Sequence, residues 1–232
     1  MAARRKPYVG IDLAGSPNRR TGFCRMDGRL DIETRVLGSD DQIVSAVVAA
    51  EPRAVTIDAP LSLPRGRVSL DKAGPPHFRA CDLELRRRRI PFFPISLGPM
   101  RLLTARGIRL QQLLRERGIP SEETYPGGAQ DILGLPRKQA GPEALREGLR
   151  SLGLTGDIDR PDISHDELDA ATASLVAWAM SRGGTESIGD PSEGVIVLPR
   201  LRLRSLLHNA VGADRSKRRP NHLTPPKAGR RI

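Results

Sequence analysis

Five acids stand in places where a chain seldom puts charge. Asp12 closes the apolar stretch Tyr8-Val9-Gly10-Ile11-Asp12, just before the small-residue turn Leu13-Ala14-Gly15-Ser16. Asp58 closes a second such stretch, Ala54-Val55-Thr56-Ile57-Asp58, before Ala59-Pro60. Glu123 lies in Glu122-Glu123-Thr124-Tyr125-Pro126, and Asp166 and Asp169 are three residues apart in a long helical pattern. A lone strand-end Asp can cap an Asx-type turn. Charges are seldom buried, however, without a partner or a metal. Three or four carboxylates in one place repel unless a cation holds them, and oxygen-only ligands select Mg²⁺ or Mn²⁺. Two such ions about 4 Å apart can activate water and stabilise the leaving oxygen of a phosphodiester. Asp12 and Asp58 are thus the leading candidate ligands, with Asp166 and Asp169 on one helical face to complete them. Glu123 is a further catalytic candidate, or the brace of the turn at Gly127 and Gly128.

The elements that must position these acids follow from the apolar periodicity. Val9, Ile11 and Leu13 alternate with Tyr8, Gly10 and Asp12, the pattern of a strand. Thr21–Met26 reads as a second strand, Asp27-Gly28 as a hairpin turn, and Leu30–Leu37 as a third strand. Ser39-Asp40-Asp41 caps a helix carrying Ile43, Val44, Val47 and Val48. The strand at 54–58 is reached through that helix, so it should lie parallel to its partner by a right-handed crossover. The expectation is three antiparallel strands followed by parallel ones. Asp12 and Asp58 would then sit side by side at one sheet edge.

Residues 61–100 read as a loop-rich insertion with a short helix, Ala80 to Arg89. The amphipathic pattern at 100–117 predicts a helix burying Leu102, Leu103, Ile108, Leu110, Leu113 and Leu114. Short helices are expected at 129–133 and 142–152. The strongest helix runs from Asp166 to Met180, with Leu168, Ala171, Thr172, Leu175 and Ala179 as its buried stripe. His165 is expected to cap it. A final strand or extended arm covers 194–199.

The net charge is +11, and residues 200–232 hold ten Lys or Arg against one Asp, so the tail carries nine of the eleven. A basic, disordered tail after a domain of residues 1–199 is an electrostatic footprint for nucleic acid, or a solvated end that aids solubility. Candidate phosphate contacts are Arg19, Arg79 and Arg86, with Lys217, Arg218 and Arg219 in the tail. The run Arg86 to Arg89 is equally a solvated face. Two cysteines far apart, Cys24 and Cys81, exclude a disulfide scaffold and fit a reducing compartment. No run approaches the roughly 20 apolar residues a membrane span needs, so a cytoplasmic location and no membrane partner are expected.

Taken as a set, several motifs resemble the family of domain of unknown function 429, regarded as predicted nucleases with a ribonuclease H-like fold. They are Gly10-Ile11-Asp12-Leu13-Ala14-Gly15-Ser16, Thr21-Gly22, Ile57-Asp58-Ala59-Pro60-Leu61, Arg79-Ala80-Cys81-Asp82, Glu123-Thr124-Tyr125-Pro126-Gly127 and Asp166-Glu167-Leu168-Asp169-Ala170. The resemblance implies an α/β fold of ribonuclease H type, a mixed five-stranded sheet with helices on both faces. It implies acids on the first strand, the fourth strand and a late helix. Asp12 and Asp58 match the first two, and Asp169 looks like the third, with Asp166 in reserve. The expected function is metal-dependent phosphodiester hydrolysis on nucleic acid. The alternatives are a non-catalytic nucleic-acid-binding module on the same fold, or an actin-like phosphate-binding domain. The actin-like class needs two such domains, and 232 residues hold one.

Overall fold

Apolar residues at every second position, ended by small-residue turns, build the first half of the molecule. The computed structural model describes residues 6–71, 74–203 and 205–207. Strands β1 (Tyr8–Asp12), β2 (Thr21–Met26) and β3 (Asp31–Leu37) form an antiparallel meander. Helix α1 (Asp40–Ala50) carries the chain to β4 (Ala54–Asp58), which lies parallel to β1. Its start is capped by Ser39, whose side chain accepts from the Gln42 backbone while the Gln42 side chain accepts from the Ser39 backbone. Such a cap stabilises a helix by about 1 kcal/mol.

The second half contributes α2 (Ala80–Arg87), α3 (Gly98–Arg115), β5 (Glu122–Thr124), α4 (Pro126–Leu133) and α5 (Pro142–Ser151). It continues with β6 (Thr155–Gly156), α6 (His165–Met180), β7 (Thr185–Asp190) and β8 (Gly194–Pro199). The sheet order is β6-β3-β2-β1-β4-β5-β8-β7. The central run β3-β2-β1-β4-β5, with its antiparallel meander and parallel β4 and β5, is the ribonuclease H-like arrangement expected from the sequence. Among the described residues the sheet has eight strands where five were expected. Strand β5 lies parallel between β4 and β8, β6 adds two residues beyond β3, and β8 and β7 extend the other side. Strand β7 was not legible because only Ile188 of its six residues is buried.

Helices cover both faces. On one, α1 and α3 pack over Val9, Ile11, Phe23, Val55 and Ile57. Further along the same face, α2 covers Ile196 and Leu198 of β8 and Ile188 of β7. The other face belongs to α6, with α4 and α5 outside it. Helix α6 is buried nearly all round from Glu167 to Ala179, with Asp169 the exception. The sequence suggested one buried stripe. Sheet on one side and helices on the other bury the remainder, and alanines dominate because both neighbours approach closely. The α6 cap is Ser164 with Glu167, not His165, which is the first residue of the helix. Helix α3 also differs in detail. Leu102 is exposed, and the buried residues are Thr104, Arg106, Gly107, Leu110 and Leu114.

The fold runs past 199, since Leu203 and Leu207 are buried in the α6 layer. The basic residues beyond lie outside the described residues. Among the described residues, no helix is long and apolar enough to cross a membrane.

Glycine makes the α6 contact with the sheet possible. A Cβ on Gly10 would stand 2.2 Å from the Ala170 carbonyl oxygen, and one on Gly22 would stand 1.9 Å from that of Asp166. Gly10→Ala should therefore destabilise the fold by about 3 kcal/mol or more, the upper range for overpacking. Gly28→Ala, where a Cβ meets nothing within 4 Å, should stay within about 0.5 kcal/mol. Urea unfolding of both checks this, and equal stability of the two variants would contradict the close approach.

Candidate active site

The parallel pairing of β1 with β4 places Asp12 directly opposite Asp58. Neighbouring strands lie about 4.8 Å apart, so the two acids leave the sheet as a pair. Their face follows from the alternation of each strand. Gly10 meets the α6 backbone, and Asp12, two residues on, points the same way. Thr56 donates its hydroxyl to the Ala173 carbonyl at 2.8 Å, and Asp58, two residues on, again points to α6. Gly22 is opposite Asp12 on β2. Because Gly22 admits the Asp166 backbone, the first turn of α6 lies over this sheet edge. Both Asp12 and Asp58 are half-buried, as are Asp166 and Asp169.

A cleft of about 530 Å³ opens there. Asp12, Asp166 and Asp169 line it together with Asn18, Arg19 and Arg20 of the β1–β2 loop. Asp58 stands on the other side of Asp12, toward β5 and Tyr125. Burial raises the Tyr125 pKa, Arg137 opposes that, and Asp58 adds to the rise. Asp169 is oriented from α4, since the buried Gln130 donates from Nε2 to Asp169 Oδ1 at 2.7 Å. Among the described residues, no three His, Cys, Asp or Glu side chains are grouped to hold a metal ion. The arrangement is a strand-end pair with two helix acids at the cleft, rather than a closed cage. That donor set fits Mg²⁺, which keeps several waters and is held by one or two carboxylates plus substrate phosphates.

Glu123 is elsewhere. In the parallel register it pairs with Ile57, and Thr124 is the residue opposite Asp58. Glu123 therefore leaves the sheet on the face away from α6, where it is 6% exposed. There it meets Arg79, which is 1% exposed. The Arg79 Nη1 and Nη2 atoms donate to Glu123 at 2.6 and 2.7 Å, and Nη2 also donates to Asp82 at 2.9 Å. Glu123 Oε2, which accepts from Arg79 Nη1, also accepts the Leu61 backbone N–H at 2.8 Å. Burial works against the Arg79 charge, but Glu123 and Asp82 overcome it and hold its pKa well above the ordinary value. Arg79 is thus a buried brace rather than a phosphate clamp, and Glu123 is its partner rather than a member of the strand-end pair.

Arg86 is exposed in the α2 layer, also on the face away from the cleft, and stacks over Phe78. Arg19 is at the cleft. Lys217, Arg218 and Arg219 lie outside the described residues. Cys81 is buried, and burial pushes its thiol pKa up, which removes it as a nucleophile. Two residues escaped the sequence reading, Gln130 and Arg106. Each is a polar residue inside an otherwise apolar helical stripe, with Gln130 between Ala129 and Leu133, and Arg106 between Leu103 and Leu110. That signal was available.

Residues 10–194 match the model of a family described as "Protein of unknown function (DUF429)". No curated protein matches the sequence. Among solved structures, the chain is similar in path to Thermus thermophilus RuvC in complex with a Holliday junction substrate. The two are 14% identical, the match covers 75% of this chain and 94% of that one, and the TM-score is 0.42. A second Thermus thermophilus RuvC structure matches at 13% identity, with 75% and 95% covered and a TM-score of 0.42.

Breaking a buried ion pair from one side leaves an uncompensated charge and costs about 3–5 kcal/mol. Glu123→Gln should therefore lower stability by about 3 kcal/mol in chelator, because Asp82 still faces Arg79. Arg86→Ala should change it by less than about 0.5 kcal/mol. Denaturant titration of both decides. A metal-free protein indifferent to Glu123→Gln would contradict the brace.

Proposed function

The chain belongs to the family described as "Protein of unknown function (DUF429)", and on that premise we propose that it hydrolyses phosphodiester bonds in nucleic acid with Mg²⁺ or Mn²⁺. The observation that carries the reading is the register of Asp12 with Asp58 on the α6 face. Two carboxylates one strand apart, half-open to solvent beside a cleft, are a poor choice for stability and a good one for holding a divalent cation.

Asp12 and Asp58 would hold the ion between them. Asp169, oriented by Gln130, or Asp166 one helical turn earlier, would complete the oxygen shell from the cleft. A divalent cation there would supply Lewis-acid stabilisation of the phosphate and acidify a water to serve as nucleophile. The chain's own groups do the rest. Arg19 and Arg20 on the exposed loop attract the nucleic-acid backbone and balance the phosphates that flank the reacting one. The acids repel a phosphate when no cation is present, so substrate binding and metal binding are linked. The basic tail would add affinity with little sequence preference, by releasing counterions from phosphate.

Asp12→Asn and Asp58→Asn should each reduce metal-dependent cleavage of labelled single-stranded and duplex oligonucleotides by about a thousandfold, the upper end of what losing one electrostatic partner costs. In chelator, neither should lower the melting temperature, since each removes a like-charge repulsion. Cleavage that survives either change, or a clear fall in metal-free melting temperature, would mean that the acids serve structure.

A further inference from the structure

Arg106 is a charged residue where the sequence leads one to expect an apolar one. It sits on α3 and is 7% exposed. Its guanidinium reaches three separate segments. Nε donates to Asp40 Oδ1 at 2.7 Å, at the start of α1. Nη2 donates to the Gly38 carbonyl at 2.6 Å. Nη1 donates to the carbonyls of Ala14 and Ser16 at 2.7 and 3.0 Å, and lies 3.4 Å from the Thr21 hydroxyl. That hydroxyl also accepts the Ala14 backbone N–H at 3.1 Å.

The grip on Ser16 matters most. Its carbonyl accepts the Arg19 backbone N–H at 3.0 Å as well as Arg106, and its hydroxyl accepts that of Asn18 at 3.3 Å. Ser16 is therefore the pivot of the turn that presents Asn18, Arg19 and Arg20 to the cleft. The next residue on α3 touches the other strand end. A Cβ on Gly107 would stand 2.8 Å from the Pro60 carbonyl and 2.9 Å from the Ala59 Cβ. One turn of α3 thus contacts both segments that leave the sheet, the one after Asp12 and the one after Asp58.

We infer that Arg106 is a positioning residue for nucleic-acid binding, setting the β1–β2 loop so that Arg19 and Arg20 meet the phosphates flanking the bond to be cleaved. This rests on the proposed reading of the cleft as a nuclease site. The role requires arginine. A planar fork with five donors satisfies acceptors in several directions at once, whereas a lysine ammonium is a point charge on a flexible stem. Contacts to flanking phosphates are made equally in the ground and transition states. Their loss therefore raises KM and spares kcat.

The test is steady-state hydrolysis of an oligonucleotide in Mg²⁺ by the full chain and by Arg106→Lys. KM should rise about tenfold, with kcat falling far less. Amide hydrogen exchange should quicken in residues 14–20 and stay unchanged in β4 and β5. In the background of Arg19→Ala with Arg20→Ala, the Arg106→Lys effect on KM should largely vanish, because residues acting through one loop do not add. A residue that only stabilises the fold would instead lower kcat by reducing the folded fraction, and its effect would add to that of the loop variant. If Arg106→Lys does not fold, Thr21→Val loosens the same loop and should show the same split between KM and kcat. Hydrolysis by the unaltered protein with KM indifferent to these changes overturns the inference alone. An unaltered protein that cleaves nothing in Mg²⁺ or Mn²⁺ overturns the nuclease reading, and with it the ligand assigned to this loop.

Discussion

The parallel register of β1 with β4 sets Asp12 beside Asp58, and the packing on both faces of the sheet holds that register. The strands cannot leave this register by slipping, because a one-residue shift would turn Val55 and Ile57 out of the core. Nor can the chain move the acids from beneath α6. Gly10 and Gly22 let that helix rest on the sheet, and the Thr56 hydroxyl bonds to its backbone. The pairing of the two acids is thus held by the packing of α6 on the sheet.

The sheet separates two kinds of charge. On the face away from α6, Arg79, Asp82 and Glu123 are buried and mutually hydrogen-bonded. That network fastens the start of α2, strand β5 and, through the Leu61 N–H, the loop that leaves Asp58. Such a set has no room for a ligand and works as a brace. On the α6 face, Asp12 and Asp58 are half-buried beside a cleft with Arg19 and Arg20 at its edge. Glu123 and Asp58, one residue apart in register, leave the sheet on opposite faces because strand side chains alternate.

That alternation also explains how far the sequence could be read. Asp12 and Asp58 were legible because each closes an apolar run, and because a strand-helix-strand connection predicts parallel neighbours. Asp166 and Asp169 were legible from the helical period. Glu123 was misplaced because its face depends on how β5 registers against β4, and three residues carry no period long enough to show it. Arg79 looked like a phosphate clamp because Glu123, the partner that joins Asp82 in burying its charge, is 44 positions away. Strand β7 is mostly polar, so its place in the sheet comes from pairing with β8 and covering by α2 rather than from its own pattern. Arg106 and Gln130 were hidden in plain view, each a polar residue in an apolar stripe whose partners lie on distant loops and helices.

The most direct test of the account is a crystal structure of the full chain grown with Mn²⁺ and examined for anomalous scattering. A metal site there gives a peak between the carboxylates of Asp12 and Asp58, with an oxygen of each at about 2.2 Å, and further ligation from the side of Asp166 and Asp169. A fully loaded crystal with no peak at that pair, or with Mn²⁺ held by other residues while Asp12 and Asp58 bond only to protein, would contradict it.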